Sequence, residues 1–402
     1  MTLLRIVYRS LRQHAFTTLV AAGSIALAAG LALTVWSIKS QAEDAFTRVD
    51  AGFDAVLGAR GSKLQLVLNA VFHLEASPGN IRAADYEQIA RHPAVAHAIP
   101  IAVGDNYRGF RIVGTPIEKL AQVEFAPGRT LALAAGAFVE GDAHEAVVGS
   151  FAARRLGLSL GDVFHPYHGF VYDEQARHEE TYTVRGILEP TNTPLDRVIL
   201  IPLSGVQTMS GHAAAAATDV SAVLVKLRPG AAAAGFQLDV LYNRQGNRLT
   251  FAWPIASIMG ELFSKFAWFQ TVLALVAYGV VLAAVGTVLV SVYGSMAARR
   301  RDLAILRALG ARRSTVFLLV LGESVFTGLL GAIGGLGLHF GLFAVAASIV
   351  RAETGVVLDA LAWHPALAVV PAALVLLCAL AGLVPAAKAY RTDVASGLAP
   401  VS

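Results

Sequence analysis

The stretch 299-RRRDLAILRALGARRSTVFLLVLGESVFTGLLGAIGGLGLHFG-341 decides how this chain is read. It opens with a short basic segment. Gly310 breaks it, and a long glycine-studded apolar run follows from Val316. Segment 299–315 holds Arg299, Arg300, Arg301, Arg307, Arg312 and Arg313 against one acid, Asp302. Leu303, Ile305, Leu306 and Leu309 give the same segment apolar surface. A basic, partly apolar helix between two apolar runs suits the inner face of a membrane, where arginines meet headgroups or the acids of a partner.

The composition agrees. Of 402 residues, 55% are hydrophobic and only 15% charged, against about a quarter charged in soluble chains. Mean hydropathy is +0.59. The net charge of +4 gathers in short segments beside apolar runs. That suits membrane orientation and argues against a nucleic-acid partner. Cys378 is the single cysteine, so no intrachain disulfide forms, and its place in an apolar run marks it as a small packing residue.

Outward from the opening stretch, the chain divides by hydropathy. Residues 1–14 carry Arg5, Arg9 and Arg12 with Leu3, Leu4, Val7, Tyr8 and Leu11 at helical spacing, which predicts a cytoplasmic amphipathic helix. Residues 15–38 are the first predicted span. This run exceeds the short apolar core of a cleaved signal peptide, so an uncleaved anchor is expected. Residues 39–264 have ordinary soluble composition and predict an α+β domain. Further spans are expected at 266–293, 316–349 and 365–387, with a cytoplasmic tail at 388–402. The fold class is therefore four transmembrane helices with a large α+β domain between the first and second.

Strand patterns occur over Ala94–Gly114, in TYTVRGILEP and DRVILIPL, and over Ala222–Leu227. Short helices are expected at Leu64–Leu74 and Asp85–Arg91. Gly58–Lys63 superficially suggests a phosphate loop, but its spacing fails the four-residue requirement between glycines. An even number of spans puts both termini on one side. The arginines of the amino-terminal segment and of 299–315, with Lys388 and Arg391, make that side cytoplasmic.

This pattern resembles the MacB/FtsX/LolCE-type permeases of ABC systems. The residues that carry the resemblance are Arg300, Arg301, Leu303, Ala304, Ile305, Leu306, Arg307, Ala308, Leu309 and Gly310, which are similar to the family's RRREIGILRALGA segment. Asp302 stands where the family often has Glu. Glu323, Gly328, Gly331, Gly334 and Gly335 resemble the family's third span. Gly382, Pro385, Ala386 and Ala389 resemble its closing GLxPAxxA signature. AVVGSFAARRLGLSLGDVF and YTVRGILEP resemble the core of its periplasmic domain.

The resemblance implies a stand-alone permease of the bacterial inner membrane, with ATP and Mg handled by a separate ABC ATPase subunit. It implies a second permease copy, as a homodimer, and a periplasmic adaptor, lipoprotein or outer-membrane component. ATP-driven motion would pass to the periplasmic domain to export or extract a lipoprotein, peptide or other cargo. The alternative is an FtsX-like scaffold that activates a periplasmic cell-wall hydrolase without transport. No catalytic arrangement is legible in the chain.

Three groups of candidate residues follow. Arg300, Arg301, Leu303, Ile305, Leu306, Arg307, Leu309 and Gly310 form the candidate ATPase-coupling segment. Gly23, Gly30, Gly331, Gly335, Gly337 and Gly341 are small residues placed for close helix packing, within one chain or between two. Asp162–Glu180 mixes histidines with acids, and His165, His168, Asp173 and His178 are candidate ligands for zinc or another transition metal. The bland alternative is a solvated loop. Glu323 lies near the cytoplasmic edge of the third span, and an arginine such as Arg313 is its expected partner.

Overall fold

A computed structural model describes residues 3–48, 52–139, 141, 144–209, 218–265, 267–298, 300–354 and 357–391. Arg299, His212, the Ala213–Ala217 tract and the tail beyond Arg391 lie outside the described residues. The chain forms two compact units. One comprises Met1–Gln41, Ala267–Ile349 and Leu358–Ser402; the other comprises Ala42–Phe266 and Val350–Val357.

The helical unit begins with α1 (Leu3–Gln13) and α2 (Ala15–Arg48). Its later elements are α10 (Ala267–Ala298), α11 (Arg300–Ala308), α12 (Arg313–Thr354) and α13 (Ala366–Arg391). Among the described residues, four stretches are long and apolar enough to cross a bilayer: Ala15–Gln41, Ala274–Ala297, Arg313–Arg351 and Ala366–Arg391. Their boundaries differ from the hydropathy reading by several residues. The helix of the second begins at Ala267, and the third runs without a break across its glycines. Ala21, Ile25, Val288, Val320, Leu374 and Cys378 form the core of this unit.

Gly331 and Gly335 explain how α2 and α12 approach so closely. A Cβ at Gly331 would stand 2.5 Å from the Cβ of Ile25, and one at Gly335 would stand 2.4 Å from the Cβ of Ala29. Gly30 faces Leu338 in the same seam. These glycines therefore serve packing within one chain. Gly23, Gly337 and Gly341 meet nothing within 4 Å.

Among the described residues, the second unit is built on an eleven-stranded sheet: nine strands in the order β11-β1-β10-β2-β3-β9-β5-β8-β4, with β6 and β7 off that path. Its strands are β1 (Ala55–Ala59), β2 (Val95–Tyr107), β3 (Phe110–Gly114), β4 (Leu133–Gly136), β5 (Glu145–Val148), β6 (Val163–Phe164) and β7 (Tyr167–His168). They continue with β8 (Tyr182–Leu188), β9 (Ile199–Ile201), β10 (Ala222–Leu227) and β11 (Leu249–Ala252). Pairing is mixed. β3 runs parallel to β9 and β5 parallel to β8, while the β10–β2–β3 run is antiparallel.

β2 is the long member and joins two halves of the sheet. Its first part pairs with β10 through Ala222↔Ile101, and its second pairs with β3 through Ala102↔Gly114. A bulge between Val103 and Asp105 shifts the register. A bulge adds one residue to a strand and re-aims the side chains beyond it. β6 pairs with β8 and β7 with β2, so the segment between them is pinned at both ends.

The short helices α3 (Lys63–Ala70), α4 (Ala83–Ala90), α5 (Ile117–Ala121), α6 (Ser150–Leu156), α7 (Leu203–Gln207), α8 (Ala232–Val240) and α9 (Ile255–Lys265) complete the unit. One core gathers Phe53, Val56, Leu66, Ile99, Val113 and Leu224. Another gathers Ile112, Val148, Phe164, Tyr182, Val184 and Ile201. Asp85 fixes the start of α4: its carboxylate accepts from the Arg82 backbone N–H at 3.2 Å and from the Arg248 guanidinium through both oxygens. Those hydrogen bonds hold the Asp85 carboxyl below the usual carboxylate range, against the opposing effect of burial.

Candidate functional site

In the helical unit, α11 is a nine-residue helix between two long apolar ones. Arg300, Arg301 and Asp302 open it, so the acid sits in its first turn and Arg307 in its last, both favourable to the helix dipole. Gly310 ends it with φ +97°, a left-handed conformation that glycine adopts without strain. The Gly310 N–H donates to the Arg307 carbonyl and the Ala311 N–H to the Leu306 carbonyl, which closes the last turn.

The two faces of α11 differ. Ala304 is buried, and Leu303 packs against the helical core with Leu306 and Arg307 half-buried. Ile305 and Leu309, four residues apart on one face, are 42% and 81% exposed. Leu306, which sequence spacing groups with the outward apolar residues, is half-buried. What remains outward is an apolar pair beside Arg301.

Glu323 is buried on α12, and the Ser10 hydroxyl of α1 donates to it. The Arg313 guanidinium lies over the Tyr390 ring at 5.9 Å. A buried carboxylate in a membrane segment requires a polar partner, and here α1 provides one. Four residues after Gly335 on α12, His339 is buried with Nδ1 3.2 Å from the Thr34 hydroxyl.

In the α/β unit, the histidine-rich segment is sorted by β7. The Gly169 N–H donates to the Gly104 carbonyl at 2.8 Å, inside the bulge of β2. The Asn106 side-chain amide donates to the carbonyls of Tyr167, Gly169 and Val171. His168 thus stands opposite Asp105 in register. Its Nδ1 is 3.2 Å from Asp105 Oδ1, and His178 Nε2 is 3.1 Å from the same oxygen. Asp105 and His178 are buried, whereas the His168 side chain is 58% exposed. The three donor atoms lie within 4.8 Å of one another.

His165 and Asp173 belong to other contacts. His165 Nδ1 is 3.1 Å from the Glu180 carbonyl, and its Nε2 is 3.2 Å from Arg177 Nη2. A carbonyl only accepts and a guanidinium only donates, so both ring nitrogens are engaged. Asp173 accepts from the Gln175 N–H at 3.0 Å and caps the short turn Glu174–Ala176. The structure therefore brings together two of the four expected ligands and adds Asp105, which the sequence reading missed. A Gly-Asp-Asn break within the apolar pattern of β2 was the available signal.

Arg111 sits close enough for its charge to act on Asp105, yet its guanidinium bonds the Glu75 carbonyl and lies 4.2 Å from the Phe170 ring. Burial lowers its pKa to about 10. Burial, with the Arg111 charge, also holds His73 down at about 3. His73 is thus neutral at physiological pH. On another part of the unit, a cleft of about 520 Å³ is lined by residues including Asp54, His97, Glu124, Lys226, Arg228 and Trp253.

Among the described residues, four bilayer-length helices with a mixed α/β domain after the first define a multi-pass membrane protein. Residues 15–240 match the MacB-like periplasmic core domain, and residues 274–394 match the FtsX-like permease C-terminal domain. The chain belongs to the MacB/FtsX-type ABC permease family.

Among solved structures, the periplasmic region of MacB from Actinobacillus actinomycetemcomitans is similar at 12% identity and TM-score 0.36, covering 53% of this chain and 94% of that one. The extracellular domain of the noncanonic ABC-type transporter YknZ from Gram-positive bacteria is similar at 15% identity and TM-score 0.31, covering 49% of this chain and 99% of that one. A search of curated proteins gave no match.

Proposed function

We propose that this chain is the membrane subunit that carries ATP-driven motion from a separate cytoplasmic ABC ATPase to the α/β domain. The observation that carries the reading is α11, a short basic helix whose outward face presents Ile305 and Leu309. Two exposed apolar residues one turn apart are the pattern by which a helix enters a groove on a partner. The flanking arginines suit an acidic rim or anionic headgroups. In this reading both termini and α11 are cytoplasmic, the α/β domain is periplasmic, and the membrane is the bacterial inner membrane. Two permease copies act with two ATPase subunits, which hold the ATP and Mg. The motion of the paired α/β domains extracts or exports a lipoprotein, peptide or other periplasmic cargo.

The test is a distance measurement. Spin labels at Phe236→Cys, an exposed position on α8, report the separation of the two α/β domains in a complex reconstituted with the ATPase. ATP trapped without turnover is expected to shift that distance. An unchanged distribution, in a complex that hydrolyses ATP, would sink the transmission reading.

A further inference from the structure

The geometry points to a divalent transition-metal site at Asp105, His168 and His178 in the α/β domain. We propose that Asp105 Oδ1, His168 Nδ1 and His178 Nε2 bind one Zn²⁺-class ion. The argument begins with the donor set. Two imidazole nitrogens and one carboxylate oxygen select zinc and its neighbours over calcium or magnesium, which require oxygen ligands. Distances come next. Metal–nitrogen and metal–oxygen bonds of about 2.0–2.2 Å in a tetrahedron place adjacent donors about 3.3–3.5 Å apart. The two separations to Asp105 Oδ1 are 3.2 and 3.1 Å, within a few tenths of an ångström of that spacing, and the two imidazole nitrogens lie within 4.8 Å of each other, so an ion draws the rings together around the shared carboxylate oxygen.

Preorganisation is the third support. Asp105 is fixed by the bulge in β2, and His168 by β7 pairing with that strand. The His178 N–H donates to the Pro166 carbonyl at 2.9 Å. Two ligands are buried and the third is exposed. Three protein donors with one side toward solvent leave the remaining position to water or to a donor from outside the chain. Each imidazole coordinates in its neutral form through an unprotonated nitrogen, so its one remaining proton sits on the other ring nitrogen and any second proton is released to solvent. The ion then clamps segment 163–181 to the sheet through side chains as well as backbone.

The experiment uses the full chain in detergent, without a polyhistidine tag. Metal-stripped protein is titrated with Zn²⁺ by calorimetry and with Co²⁺ by visible absorption. One ion per chain, with the intense cobalt bands of four-coordination, is expected. His168→Ala and Asp105→Asn are each expected to weaken Zn²⁺ binding at least tenfold, since even losing a group that only orients a ligand costs 10- to 100-fold. Hydrogen exchange in 166–180 is expected to slow with Zn²⁺ in the wild type alone. No stoichiometric binding to the wild type, or wild-type affinity in either folded variant, overturns the proposal. Should Asp105→Asn fail to fold, His168→Ala decides, because its side chain is exposed.

Discussion

Replacing Ile305 and Leu309 together by alanine removes the outward apolar surface of α11 and little else. Alanine is the strongest helix former, and neither side chain belongs to the packed core of its own unit. Full burial of a Leu or Ile side chain contributes about 1.5–3 kcal/mol. Leu309, 81% exposed, has most of that still to gain on a partner, and Ile305, 42% exposed, has under half. Together they would contribute about 2–3 kcal/mol, a 30- to 150-fold change in dissociation constant. The assay is binding of the purified ATPase that accompanies the wild-type chain, with ATP hydrolysis measured in parallel. Gly310 is untouched, so α11 still closes on its left-handed residue. An affinity loss below about threefold would refute the groove argument and leave the arginines with orientation alone.

Other outcomes follow from particular contacts. Asp85→Asn is expected to destabilise the chain by about 2 kcal/mol, the scale of charged hydrogen bonds. Because the folded-state pKa of Asp85 is depressed, its contribution is full above the unfolded value near 4 and is lost as pH falls through the folded value. Thermal unfolding of the two proteins should therefore converge in acid. Gly335→Leu should cost about 1–3 kcal/mol by overpacking against Ala29, while Gly337→Leu, with nothing within 4 Å, should stay within about 0.5 kcal/mol. Melting in detergent separates them. For orientation, in a Cys378→Ser background, Leu309→Cys should react with an impermeant thiol reagent from the cytoplasmic side only. Leu361→Cys, 82% exposed between α12 and α13, should react from the opposite side; the reverse pattern inverts the topology.

The four spans were legible because a bilayer demands long, nearly uncharged runs, and β8 and β10 because strand patterning marks runs of six or seven residues. The metal-type cluster was only half legible. β7 is two residues long, too short for any periodicity, and Asp105 lies 63 residues from His168 in sequence. Their meeting depends on a bulge that only pairing reveals. One partner of Glu323 was hidden for the same reason: Ser10 is 313 residues away. Within α11, residue type showed which side chains were apolar. That Ile305 and Leu309 are more exposed than Leu306 required knowing how the helix sits.

The seam of Gly331 and Gly335 against Ile25 and Ala29 acts as a screw thread. Sliding α12 by one residue moves it about 1.5 Å and turns its surface by about 100°, which brings a bulky side chain where no Cβ fits. Small displacements along that axis are thus blocked, and the next alignment lies a whole turn away, about 5.4 Å. α2 and α12 therefore travel together or jump, and any gradual movement in the helical unit falls to its other seams.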